Sequence, residues 1–255
     1  MRRGWFGVAA GVCMLATMVA AASLYESPEE RRGAAFRPHE QPLSDLGWGA
    51  SRSGIVFRSG IVASSVLFAM YGRAAGRRLR RSAREAGGGV DFADWSAAVA
   101  AWSLVAAAAG AGCIVAFPRQ TGRFFVVHVA GAAALVASYS VAVTAYTSAA
   151  VVVGVASPAM VGLAMTVCGA AVSIGVAGIV VLTTVSPTAA ASAVRMQSTA
   201  DAVWQRAHFA DAAPWFPGAE ACFFATLALW AIAAGRETLR DERRSKVGLE
   251  TSYEE

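Results

Sequence analysis

The chain has 255 residues, of which 56% are hydrophobic and 15% charged, with a mean hydropathy of +0.49. Soluble domains run near a quarter charged, so this composition excludes an ordinary water-soluble fold. The net charge of +5 would suit nucleic acid in a soluble protein, but here the excess base sits in short segments beside apolar runs, where it reads as topology and lipid contact.

One stretch decides the solvent. Between Arg123 and Arg195 lie 71 consecutive positions (195 − 123 − 1) without Asp, Glu, Lys or Arg. A bilayer crossing needs about 20 apolar residues, so this run crosses twice with a turn between. A soluble helix must show water a polar face and does not stay uncharged for so long. The runs are continuous, not alternating, which selects helices over barrel strands.

Six spans follow in chain order, at about 5–22, 55–75, 95–117, 124–147, 158–185 and 217–235. The expected fold is an all-α, polytopic six-helix bundle forming a single transmembrane domain, with 236–255 as a short tail. The first span has a rival reading. Met1-Arg2-Arg3, the apolar run and Ala20, Ala21 and Ala22 also fit a cleaved signal peptide, which would leave five spans. The length of the run, and Trp5 and Tyr25 bracketing it like interfacial anchors, favour a retained span. Gly7 and Gly11 within it form a GxxxG spacing, a weak sign of close helix contact.

Arg73, Arg77, Arg78, Arg80, Arg81 and Arg84 lie between the second and third spans. With Arg2 and Arg3 ahead of the first span, and Arg236, Arg240, Arg243, Arg244 and Lys246 behind the sixth, three basic segments fall on one side of six crossings. The positive-inside rule makes that side, and both termini, cytoplasmic. Arg77, Arg78, Arg80, Arg81 and Arg84 are also expected to attract anionic lipid, each by about 1 kcal/mol when close to the surface. The break between the fourth and fifth spans rests on Gly154 and Pro158 alone. Between the fifth and sixth, residues 189–210 are expected to form a helix on the outer surface, carrying Trp204 and Phe209. Trp215 and Phe216 read as an interfacial belt.

Three ionisable residues lie about one turn inside spans that begin on the outer side: Arg58, His128 and Glu220. Groups at that depth pair with one another or face a cavity, so a polar cluster is expected there, with Asp45 in the loop above. The plainer alternative is that each snorkels to the headgroups or makes a structural hydrogen bond. Cys13, Cys113, Cys168 and Cys222 each fall within a span and read as packing residues, without zinc or disulfide spacing. No catalytic motif emerges, and no cofactor or metal is expected.

Several of these features, in order, resemble one family. They are Pro42-Leu43-Ser44-Asp45-Leu46-Gly47 with Phe57, then Phe117-Pro118 with His128-Val129-Ala130-Gly131-Ala132, Tyr139 and Tyr146, and finally Glu220 with Phe223-Phe224. A short SD-x-G loop, a His-led fourth helix and an acid-led sixth helix are similar to the DRAM proteins, the damage-regulated autophagy modulators grouped with Frag proteins of GPI-anchor lipid remodelling. The chain departs from that pattern at Ala221, where the family usually has Trp, and in the length of the 186–216 loop. The resemblance implies a non-enzymatic endomembrane or plasma-membrane protein affecting autophagy, lysosomes or lipid handling, with Asp45, His128 and Glu220 as marked positions. A lipid-remodelling factor or enzyme is the alternative. A small transporter or channel ranks last, because neither mid-membrane charges nor paired interrupted helices are present.

Overall fold

The structure is a computed structural model, and it describes residues 3–25, 36–38, 41, 43–47, 51–116, 125–184 and 213–251. Among these residues there are six α-helices and no strand: α1 (Trp5–Ser23), α2 (Arg52–Glu85), α3 (Val90–Ala116), α4 (Phe125–Val152), α5 (Pro158–Thr184) and α6 (Phe216–Thr251). A 3₁₀ turn, Leu43–Gly47, precedes α2. All six helices are long and apolar enough to cross a membrane. The protein is an integral, multi-pass membrane protein of the all-α class.

Each helix packs on its sequence neighbours, and α6 returns to α1, so the six close into a ring. Neighbours run antiparallel wherever paired contacts give the direction. Gly4 lies against Gly235, and Gly11 against the carbonyl of Ala228. Gly60 lies against Thr17, Gly76 against Ala97, and Gly110 against Gly131. Two ends of the bundle are thereby defined. One holds the start of α1 and the ends of α2 and α6, and is called the arginine end below. The other holds the 3₁₀ turn and the starts of α2, α4 and α6.

Association of helices in lipid gains little from hydrophobic burial and depends on close packing and hydrogen bonds. The α1–α6 seam meets that demand with small residues. A Cβ at Gly4 would lie 2.6 Å from the carbonyl oxygen of Gly235, and one at Gly7 would lie 3.1 Å from that of Ala231. The Gly7–Gly11 spacing is therefore a contact surface, and it holds α1 inside the ring between α2 and α6. Outward faces carry the apolar residues that lipid covers, among them Trp102, Met165, Val19, Val172 and Ile179.

Local signals set the boundaries. The Ser51 hydroxyl caps α2 by accepting from the Gly54 N–H at 3.0 Å. After α4, Gly154 takes φ +74, a left-handed conformation that favours glycine. Its N–H donates to Val151 O (3.0 Å) and that of Val155 to Ala150 O (2.8 Å). Pro158 then opens α5 at the first helical position, where its missing N–H costs nothing. The fourth crossing thus runs to Val152, five residues past the expected 147.

Two ends differ more. The second and sixth spans do not stop at their first charges: α2 continues to Glu85 and α6 to Thr251. Residues 236–251, within the expected tail, continue α6 as helix. Arg is a good helix former, so a cluster of them ends a membrane crossing without ending a helix. The expected surface helix at 189–210, with Trp204 and Phe209, lies outside the described residues, as do most of 26–50.

Candidate functional site

Among the described residues a dense polar constellation lies at the arginine end, around Arg78. Its side chain is only 7% exposed. Phe57, Ser64, Tyr71 and Arg78 repeat every seven residues and are all buried, so Arg78 continues the core stripe of α2. Five N–H donors in a low-dielectric interior must find acceptors, and three other pieces of chain supply them. Nε donates to Asp241 Oδ2 of α6 at 2.6 Å. Nη1 donates to the Tyr146 hydroxyl of α4 at 3.0 Å. Nη2 reaches the Val155 carbonyl, in the α4–α5 turn, at 3.4 Å.

Aromatic and hydroxyl groups extend this network inward. The Tyr71 and Tyr146 rings are 6.2 Å apart, and Tyr146 meets Trp230 edge-on at 5.7 Å. The Tyr71 hydroxyl lies 3.4 Å from that of Thr238, and Trp230 Nε1 donates to Thr147 Oγ1 at 3.1 Å. Deeper still, Ser65 and Tyr139 share a hydrogen bond of 2.8 Å. Apart from the Val155 carbonyl, every partner comes from α2, α4 or α6, so the network ties non-adjacent members of the ring across its middle.

At the opposite end the 3₁₀ turn packs on α2, α1 and α6. Glu220, in the first turns of α6, accepts from the Leu43 N–H at 2.7 Å. Ser53 donates to Leu46 O at 3.0 Å, and Leu43 and Leu46 are buried. Arg58 donates from Nε to Gly54 O at 3.1 Å, and its stem lies beside Gly47. Glu220 and Arg58 thus flank one turn, whose main chain includes Asp45; the Asp45 side chain lies outside the described residues. His128 is buried in the first turns of α4 at this same end.

The five arginines expected to face anionic lipid divide. Arg78 does not belong with the others: the helical repeat turns it into the core, where Asp241 and Tyr146 hold it. Arg81 pairs with Glu85 at 2.7 Å and Arg80 with Asp94 at 2.9 Å, both on the surface. Arg77 and Arg84 are exposed. Arg73, exposed one turn before Arg77, belongs to the same surface and was not among the expected residues.

Asp241 and Tyr71 were likewise not legible as site residues, since each looked unremarkable in its own segment. The seven-residue repeat of α2, carried past position 75, is the signal in the sequence that could have placed Arg78 in the core. The four cysteines are free thiols. Among the described residues no group of three His, Cys, Asp or Glu side chains is arranged to hold a metal ion.

A scan of protein-family models, a search of curated proteins and a search of solved structures each return no match to this chain. The DRAM resemblance therefore stands on its motif residues alone.

Chemically, the Arg78 network is a clamp: each guanidinium nitrogen has an acceptor, and the acceptors belong to separate parts of the chain. Glu220 is a latch on the turn. Glu220→Ala leaves the Leu43 N–H without its acceptor, at a cost of about 1–3 kcal/mol. Amide exchange at Leu43–Gly47 should accelerate in that variant, and much less in Glu220→Gln, which keeps a carbonyl acceptor. Equal protection in wild type and Glu220→Ala would show that the turn does not depend on the carboxylate.

Proposed function

We propose that this chain is a non-catalytic membrane protein of the DRAM type, acting in autophagy, lysosomal or membrane-lipid homeostasis, inserted with both termini in the cytoplasm. The observation that carries this reading is the 2.7 Å bond from the Leu43 N–H to Glu220. It joins two of the places the resemblance marks, the SD-x-G loop and the acid opening the sixth helix. It also gives them a shared job, which is to pin the loop onto the bundle. A carboxylate engaged with a main-chain N–H at a helix start is well suited to holding structure.

The orientation has separate support. The start of α1 and the ends of α2 and α6 meet at one end of the bundle, as the Arg3 N–H to Glu242 bond (3.0 Å) and the Arg78–Asp241 pair attest. The three basic segments beside the start of α1 and the ends of α2 and α6 then sit on one side, the distribution that marks a cytoplasmic face. The close packing of α1 between α2 and α6 favours a retained first span.

Two measurements test these readings. In a variant whose four native cysteines are replaced by Ser, a Cys at position 82 should be shielded from an impermeant thiol reagent on intact cells or right-side-out vesicles, and a Cys at 198 should label. Equal labelling of both overturns the orientation. In cells lacking the protein, autophagic flux should change while GPI-anchor and phospholipid species keep their wild-type pattern. Altered lipid species with unchanged flux would transfer the protein to the lipid-remodelling class instead.

A further inference from the structure

We propose that the outer seam between α2 and α3, at the arginine end, binds one anionic glycerophospholipid. A groove of about 280 Å³ opens there, just under the usual range for ligand sites, about 300–1,000 Å³. Arg73, Arg77 and Arg80 line its α2 side, and Ala98, Ala101 and Trp102 its α3 side. The trough exists because small residues let the two helices approach. A Cβ at Gly72 would lie 2.7 Å from Leu104, and one at Gly76 3.2 Å from that of Ala97. Above that seam Ala98 and Ala101 present only methyl groups, which leaves the space between the arginines and Trp102 open.

Charge selects the occupant. The three arginines follow one another at i, i+4 and i+7 along α2, which stacks them on one face. Asp94 offsets Arg80 at 2.9 Å. Among the described residues neither Arg73 nor Arg77 has an ion-pair partner, which leaves two uncompensated guanidiniums side by side. A phosphodiester matches the guanidinium fork with two parallel hydrogen bonds. The apolar part of a lipid is matched as well. Trp102 is 74% exposed, and Val66, Met70 and Val105 continue an exposed apolar strip toward the middle of the bundle. Trp95 and Phe92, exposed nearer the turn, mark the headgroup level. Arginines at that level above an apolar strip give a headgroup site with acyl chains running down the seam.

The inference rests on the orientation proposed above only in naming the cytoplasmic leaflet as the source of the lipid. Its test is independent of orientation and of any role in autophagy, so each can fail alone. The full chain, purified in detergent and equilibrated with equal amounts of phosphatidylglycerol and phosphatidylcholine, is examined by native mass spectrometry. Wild type should retain phosphatidylglycerol over phosphatidylcholine by about tenfold or more, from two arginine contacts. The double variant Arg73→Gln/Arg77→Gln removes the charge, and Ala98→Leu fills the groove with charge unchanged. Each should bring the ratio to within about twofold of unity. Arg81→Gln/Arg84→Gln, which removes equal charge outside the groove, should keep the preference.

Arg73 and Arg77 are exposed, so their replacement leaves core packing intact, and the groove-filling variant acts by a different route. A wild-type ratio near unity would overturn the site. So would equal loss in the Arg81/Arg84 control, which would mean diffuse attraction, or full retention in Ala98→Leu.

Discussion

A guanidinium inside a helical bundle has to be satisfied, and Arg78 can be satisfied in this chain only when three other pieces of backbone are in place. Asp241 comes from α6, Tyr146 from α4 and the Val155 carbonyl from the turn between α4 and α5. Removing one partner of a buried ion pair costs about 3–5 kcal/mol, because the other charge is left behind. Asp241 is 34% exposed, so water absorbs part of that cost here. The interaction nonetheless fixes rotation as well as distance. If α6 turned by one residue, Asp241 would leave the interior and Thr238 would leave Tyr71. Lipid supplies no hydrophobic force to press helices together, which makes such matched polar contacts the means of choosing one arrangement among many.

The two polar ends of the bundle are set one membrane apart. Glu220 and Asp241 lie 21 residues apart on α6, roughly 31 Å at about 1.5 Å per residue. Arg58 and Arg78 span nearly the same length of α2. A hydrocarbon core of about 30 Å fits between them. Within that interval the core holds neutral polar pairs, Ser65 with Tyr139 and Trp230 with Thr147. The helices are therefore fastened at each end, by Glu220 on the turn and Arg78 on Asp241, with neutral pairs between. The groove between α2 and α3 lies outside this scaffold, on a surface that the clamp does not use.

Much of the architecture was legible because hydrophobic length is a strong signal. All six spans and the turn at Gly154 and Pro158 follow from apolar runs and backbone punctuation. What escaped was the continuation of α2 and α6 beyond the membrane, since a charge ends an apolar run without ending a helix. Arg78 shows why that matters. Counted as one of five basic residues it belongs at the lipid surface. Counted along the repeat Phe57, Ser64, Tyr71 it belongs in the core, and the repeat wins because side-chain direction is set by helical phase and not by composition. Asp241 could not be found from its own segment, where acids and bases alternate as on any solvated helix; its partner is 163 residues away. At the other end Glu220 stood out because an acid so near a span's start is unusual, but its attachment to the Leu43 main chain is a tertiary fact that no local pattern encodes.

The most direct measurement of the clamp is a double-mutant cycle between Arg78 and Asp241. Unfolding free energies of wild type, Arg78→Gln, Asp241→Asn and the double variant would be obtained by denaturing-detergent titration in mixed micelles. If the pair joins α2 to α6, the two substitutions should be strongly non-additive, with a coupling of at least about 1 kcal/mol and the double variant little worse than the poorer single one. Effects that add to within about 0.5 kcal/mol would contradict the clamp, and would leave Arg78 and Asp241 as neighbours without a joint role.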